Sequence, residues 1–123
     1  MIKMSISEIA DRLSICLLKQ ERTDEDLREE IELYETEIKK YSNIQEYITQ
    51  LYEINGEIWQ LEADIRRGRE EELGFEEVGR RALLIREWNK KRITVKNQIV
   101  EDYGEGFKDI KINHASNNNG SNI

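Results

Sequence analysis

Apolar residues along the chain return at the alternating three- and four-residue steps of helices, and breaks in that rhythm predict four helical segments. The first opens at Ser5: Ser5 and Glu8 have the spacing of a capping box, in which each side chain satisfies an amide at the helix start. Ile6, Ile9, Leu13, Cys16 and Leu17 make its apolar stripe, Ile15 and Leu18 widen it enough for more than one neighbour, and it is expected to end near Glu21. Thr23 before Asp24, Glu25 and Asp26 predicts the next start, an N-cap followed by acids that the helix dipole favours. Leu27, Ile31, Tyr34, Ile38 and Tyr41 then form a narrow seam on an acidic helix running to about Tyr41.

Ser42 and Asn43 interrupt the pattern only weakly, so helices two and three could be continuous; a turn is the favoured reading, because both residues prefer caps to helix interiors. Ile44, Ile48, Leu51, Ile54, Ile58, Leu61 and Ile65 carry the third helix, with Gly56 inside it at a cost of about 1 kcal/mol relative to alanine. Arg67-Gly68-Arg69 and Leu73-Gly74-Phe75 bracket a connection, and Val78, Ala82, Ile85, Trp88, Val95, Ile99 and Tyr103 mark the fourth helix, ended by Gly104-Glu105-Gly106. A short link makes these last two helices, about 35 to 45 Å long, antiparallel neighbours. The expected fold is all-α: an antiparallel bundle of four helices with a long coiled-coil-like C-terminal hairpin, one domain over 1–107 and a flexible polar tail over 108–123.

Composition bounds this picture. Apolar residues are 37% of the 123, charged residues another 37%, and the mean hydropathy is -0.78. So small and charged a chain has little core of its own, which makes a homo-oligomer, a dimer first, the expected state, with a protein partner as a further possibility. Neither the polar start of the chain nor any later stretch has the apolar run of a signal peptide or membrane span, so a cytoplasmic protein without membrane contact is expected. Cys16 has no cysteine to pair with and reads as a buried core residue rather than a reactive thiol. The single histidine, His114, lies in the tail, so histidine metal sites and nucleophile–histidine pairs are not expected, and no metal or cofactor is assigned.

The net charge of -7 makes nucleic acid an unlikely partner. Its distribution is uneven: 24–37 holds eight acids against Arg28 alone, whereas 66–96 holds ten bases against six acids. Two such helices are expected to complement each other within the bundle or across a dimer; the other reading is a surface for an anionic partner.

One constellation breaks the apolar rhythm. Asn55, Trp59, Glu62 and Arg66 follow one another at helical steps on helix three, and Asn89, Arg92 and Lys96 continue the stripe of helix four. A link centred at 71–73 places Asn55 opposite 88–91 and Glu62 opposite 81–84, so Asn55 with Asn89, and Glu62 with an arginine of helix four, are the expected pairs. Structurally, such residues fix register. Functionally, Arg66, Arg92 and Lys96 would bind an anion, with Trp59 or Trp88 as a stacking face.

The run from Asn55 through Trp59 and Glu62 to Ile65 and Arg66, with Phe75, Asn89, Arg92, Lys96 and Ile99 after it, resembles a family of small helical bacterial and phage proteins of unknown function. The resemblance spans about Ser5 to Ile99 and is specific in its second half; Gly56 and Gln60 depart from the charged residues usual at those places. It implies a helical fold and a setting near surface-polysaccharide genes, and carries over no catalytic residue. An interaction or assembly module is therefore the leading functional expectation. Helical pyrophosphohydrolases need paired carboxylates for magnesium, which Glu32 with Glu35 or Glu62 with Asp64 imitate poorly, and helical chorismate mutases share only the texture of 6–22, so an enzyme or an anionic, nucleotide or sugar-nucleotide binder is the alternative.

Overall fold

The computed structural model describes residues 4–104, and all their regular structure is helical. The order is α1 (Ile6–Arg22), α2 (Arg28–Ile38), α3 (Gln45–Arg66), α4 (Glu70–Leu73) and α5 (Phe75–Tyr103). The tail expected to be flexible, His114 included, lies outside the described residues.

Local chemistry explains where each helix begins and ends, and corrects three expectations. The Ser5 hydroxyl accepts from the Glu8 amide at 3.4 Å, but the Glu8 carboxylate turns to Lys96 instead of closing the capping box. Thr23 ends α1 rather than starting α2: its hydroxyl and its amide both donate to the Lys19 carbonyl. With Thr23 committed there, α2 starts only at Arg28, whose amide and guanidinium bind Asp26, and it stops at Ile38 instead of Tyr41. Asn43 adopts the left-handed conformation, φ 62°, which asparagine tolerates better than most residues, so α2 and α3 are separated by a turn. Unexpectedly, the link between the last two helices contains the single turn α4, whose C-cap Gly74 has φ 84°. Gly104, φ 67°, ends α5 by donating to the Val100 carbonyl at 2.8 Å.

Packing sets α1 at the centre. It lies against α2 on one side and against both α3 and α5 on the other, while α2 packs on α1 alone among the described helices. Asp64 pairs with Arg81 beside the link and Tyr47 with Asp102 at the far end, so α3 and α5 run in opposite directions. Asp11, Ser14, Leu18 and Arg22 of α1 all meet α3 at Asn55 or Gly56. Arg22 arrives there by the tip of its long side chain, so Asn55 and Gly56 mark where α1 crosses α3.

The core gathers where α1 crosses. Ile6, Ile9, Leu13 and Cys16 meet Ile31 and Ile38, Ile44, Ile48 and Leu51, and Ile99. Each fully buried isoleucine or leucine contributes roughly 1.5 to 3 kcal/mol. Tyr103 closes the lower end, its ring edge-on to Tyr41 at 5.5 Å and its hydroxyl donating to the Ser42 carbonyl. Beyond the crossing, the rest of the α3–α5 pair extends as an arm. On α5 no described residue before Lys96 is buried, and Phe75, Leu83 and Leu84 are exposed. Gly56 lies at the crossing, but a Cβ there would meet Arg22 and Leu18 at 3.8 Å, an ordinary contact, so the glycine is tolerated rather than required.

Candidate functional site

Four of the seven residues singled out in the sequence converge on one buried carboxylate, Asp11, and its neighbour Glu8, both on α1. Asp11 is 1% exposed. Arg92 grips it like a fork, Nε donating to Oδ1 at 3.0 Å and Nη2 to Oδ2 at 2.6 Å. Asn55 donates from Nδ2 to Asp11 Oδ1 at 3.1 Å and to Ser14 Oγ at 2.9 Å, while Ser14 donates to the Asp11 carbonyl at 2.7 Å. Asn89 accepts from Arg92 Nη1 at 3.4 Å. One turn further along α5, the buried Lys96 donates to Glu8 Oε2 at 2.7 Å.

The donor–acceptor logic is complete. An ionised aspartate only accepts, so it needs the guanidinium fork and the amide nitrogen of Asn55 together to replace water. Asn55 and Asn89, expected to face each other, are instead joined through Arg92 and Asp11, because the fork of a long arginine and the short Asp11 carboxylate fill the space between their helices. The effect is to fasten α1, α3 and α5 at one point.

Trp59, Glu62 and Arg66 form a separate group further along the arm. Arg66 lies over the Trp59 ring at 4.0 Å and 3.5 Å from Glu62, one turn away on the same helix. The expected pairing of Glu62 with an arginine of the last helix is not made: Arg81 reaches past it to the Leu61 carbonyl at 3.3 Å and to Asp64 at 3.5 Å. Glu77 binds Arg80 and Arg81 at once, and these two guanidiniums hold its carboxyl far below the usual range, at about 2. The stacking faces expected of the tryptophans are each covered by a cation of their own helix, Trp59 by Arg66 and Trp88 by Lys91 at 4.2 Å.

A hollow of about 310 Å³ opens beside the network toward α2. Its wall carries Arg12, Lys19 and Arg92 against Glu8, Asp11 and Glu30, a balance that gives little net attraction for an anion. Cys16 also borders it, and burial, then the charge of Glu30 and a hydrogen bond to it, pushes the thiol up to about 11. A thiol so rarely ionised at neutral pH is a poor nucleophile. Among the described residues no group of three or more His, Cys, Asp or Glu side chains could hold a metal ion.

Glu8, Asp11 and Ser14 were not among the residues expected from sequence. The signal for Asp11 and Ser14 is the ridge Ser7, Asp11, Ser14 and Leu18, which repeats on α1 the four-three-four steps read on α3, with Glu8 off that ridge. All four are buried.

Among the described residues, no helix is long and apolar enough to cross a membrane. In comparisons with known proteins, the chain matches no protein-family model, no curated protein and no solved structure.

Proposed function

We propose that this protein is a self-associating interaction module, and that two copies meet by setting the acidic α2 of one against the basic arm of the other. The observation that carries this reading is the separation of complementary surfaces within one chain. Among the described helices α2 packs only on α1, so its acids do not meet the basic stretch of α5 helix to helix, as they would if the complement were internal. Each surface also presents an exposed leucine: Leu33, 71% exposed, follows Glu29 and Glu30 by one turn, and Leu83, 56% exposed, lies one turn from Arg80 and Arg86. A two-fold arrangement would use both pairs of surfaces, leaving none open for a third copy.

In this reading the network around Asp11 is a register lock, since its groups already have partners, and not a catalytic centre. The coiled-coil character expected of the last two long helices would be completed along the exposed end of the arm by the second copy. Assembly in the cytoplasm, without membrane or nucleic acid, and kinship with small helical bacterial and phage proteins are parts of the same proposal.

Size-exclusion chromatography with light scattering tests it. Wild type should run at twice the 14.6 kDa chain mass and shift toward monomer as salt screens the charged surfaces. Leu83→Glu with Leu84→Glu puts two more acids against the acidic helix and should give a folded monomer. A wild type that stays monomeric across the range of concentrations would overturn the reading.

A further inference from the structure

A second hollow, of about 390 Å³, lies on the arm beside the end of α1. Arginines line it from three elements: Arg22 in the last turn of α1, Arg67 just after α3, and Arg80 and Arg81 on α5. Asp64 is the one carboxylate in the wall. It stands 3.5 Å from Arg81 and 3.7 Å from Arg67, looser than the roughly 2.7 to 2.9 Å of a well-made charge-assisted hydrogen bond. Arg22 has Glu21 at 3.9 Å, also beyond hydrogen-bond length. Glu77, outside the wall, fixes Arg80 and Arg81 in position. Four arginines thus line one concave space against Asp64 in its wall and Glu77 behind it, an excess of cations in a chain of net charge -7, whereas the hollow beside Asp11 is balanced.

We infer that this hollow binds a diphosphate group. Arg22 and Arg67 would supply the donors that close on the phosphate oxygens, with Arg81, anchored on the Leu61 carbonyl, as the fixed charge behind them. Arg80 and Arg81 already share Glu77, so Arg22 and Arg67 are the two loosely held cations, and a diphosphate offers each of them a phosphoryl group with several acceptor oxygens. Trp59 forms part of the wall with one face of its ring under Arg66, so a ring attached to the diphosphate would lie beside the indole and not in place of that cation. Arg80 also flanks Leu83, so the site borders the surface proposed for self-association, but its binding groups Arg22 and Arg67 lie outside that surface.

Isothermal titration calorimetry on the full chain, without divalent metal, should show saturable binding of inorganic pyrophosphate or of a nucleoside diphosphate. Tighter binding of the nucleotide, with a change in Trp59 fluorescence in a Trp88→Phe background, would place the base against Trp59. Equal affinity would confine recognition to the phosphates, and either result supports the site. Arg22→Gln and Arg67→Gln should each weaken binding roughly tenfold with helicity intact, while Lys90→Gln with Lys91→Gln should leave it unchanged. The inference is overturned if wild type binds neither probe, if the two arginine variants bind as wild type does, or if the lysine pair matters as much as the arginines.

Discussion

Asp11 brings the cost of a buried charge into a protein with little apolar material to offset it. Removing Arg92 leaves Asp11 desolvated, while removing Asp11 leaves an Arg92 that still reaches water, which puts that loss at the low end for a buried pair, about 3 kcal/mol. Asp11→Ala should therefore lower the unfolding free energy by that much, and the urea midpoint with it, whereas Asp11→Leu combined with Arg92→Met should recover most of the loss, because no charge is then stranded; urea unfolding followed by circular dichroism reads both. Part of this lock was legible in the sequence, since Asn55, Asn89, Arg92 and Lys96 occupy places where the helical rhythm asks for apolar groups. Their true partners were not, because Glu8 had a local explanation as a cap and Asp11 lay in a polar amino-terminal stretch. Local chemistry competed with a contact 81 residues away, and only the fold decides between them.

Helix boundaries followed short-range chemistry wherever one residue had one role to play. Gly104 ended the last helix as expected, and the Ser42-Asn43 break became a turn. Thr23 could cap either of two helices, and its bond to Lys19 decided the matter. At the far end of the α3–α5 pair, Tyr47 donates to Asp102, and that hydrogen bond, with burial and the charge of Asp102 after it, pushes the phenol up to about 12. A group whose folded value is raised contributes fully below its unfolded value and loses that contribution as pH climbs through the folded one. Stability from this contact is thus complete below pH 10.0 and lost toward about 12. Thermal melts across that window should show Tyr47→Phe falling less steeply than wild type, with a residual slope from Tyr34, Tyr52 and Tyr103, whose values are also raised.

At the scale of the molecule, one end of the long helical pair is held by α1 and the other projects with its apolar and basic groups uncovered. The charge blocks that frame the self-association proposal were plain in the sequence, but whether they met inside one chain depended on α2 lying outside α1, which no local pattern encodes. That placement of α1 also bears on the order of folding. Its ties to α5 close loops of 81 and 88 residues, while α3 and α5 meet across a short link. Closing the longer loops costs more chain entropy before any contact rewards it. The ties of α1 to α5 are therefore the last to be fastened. Stopped-flow kinetics should show the Asp11→Ala loss mainly as faster unfolding, with the refolding rate little changed.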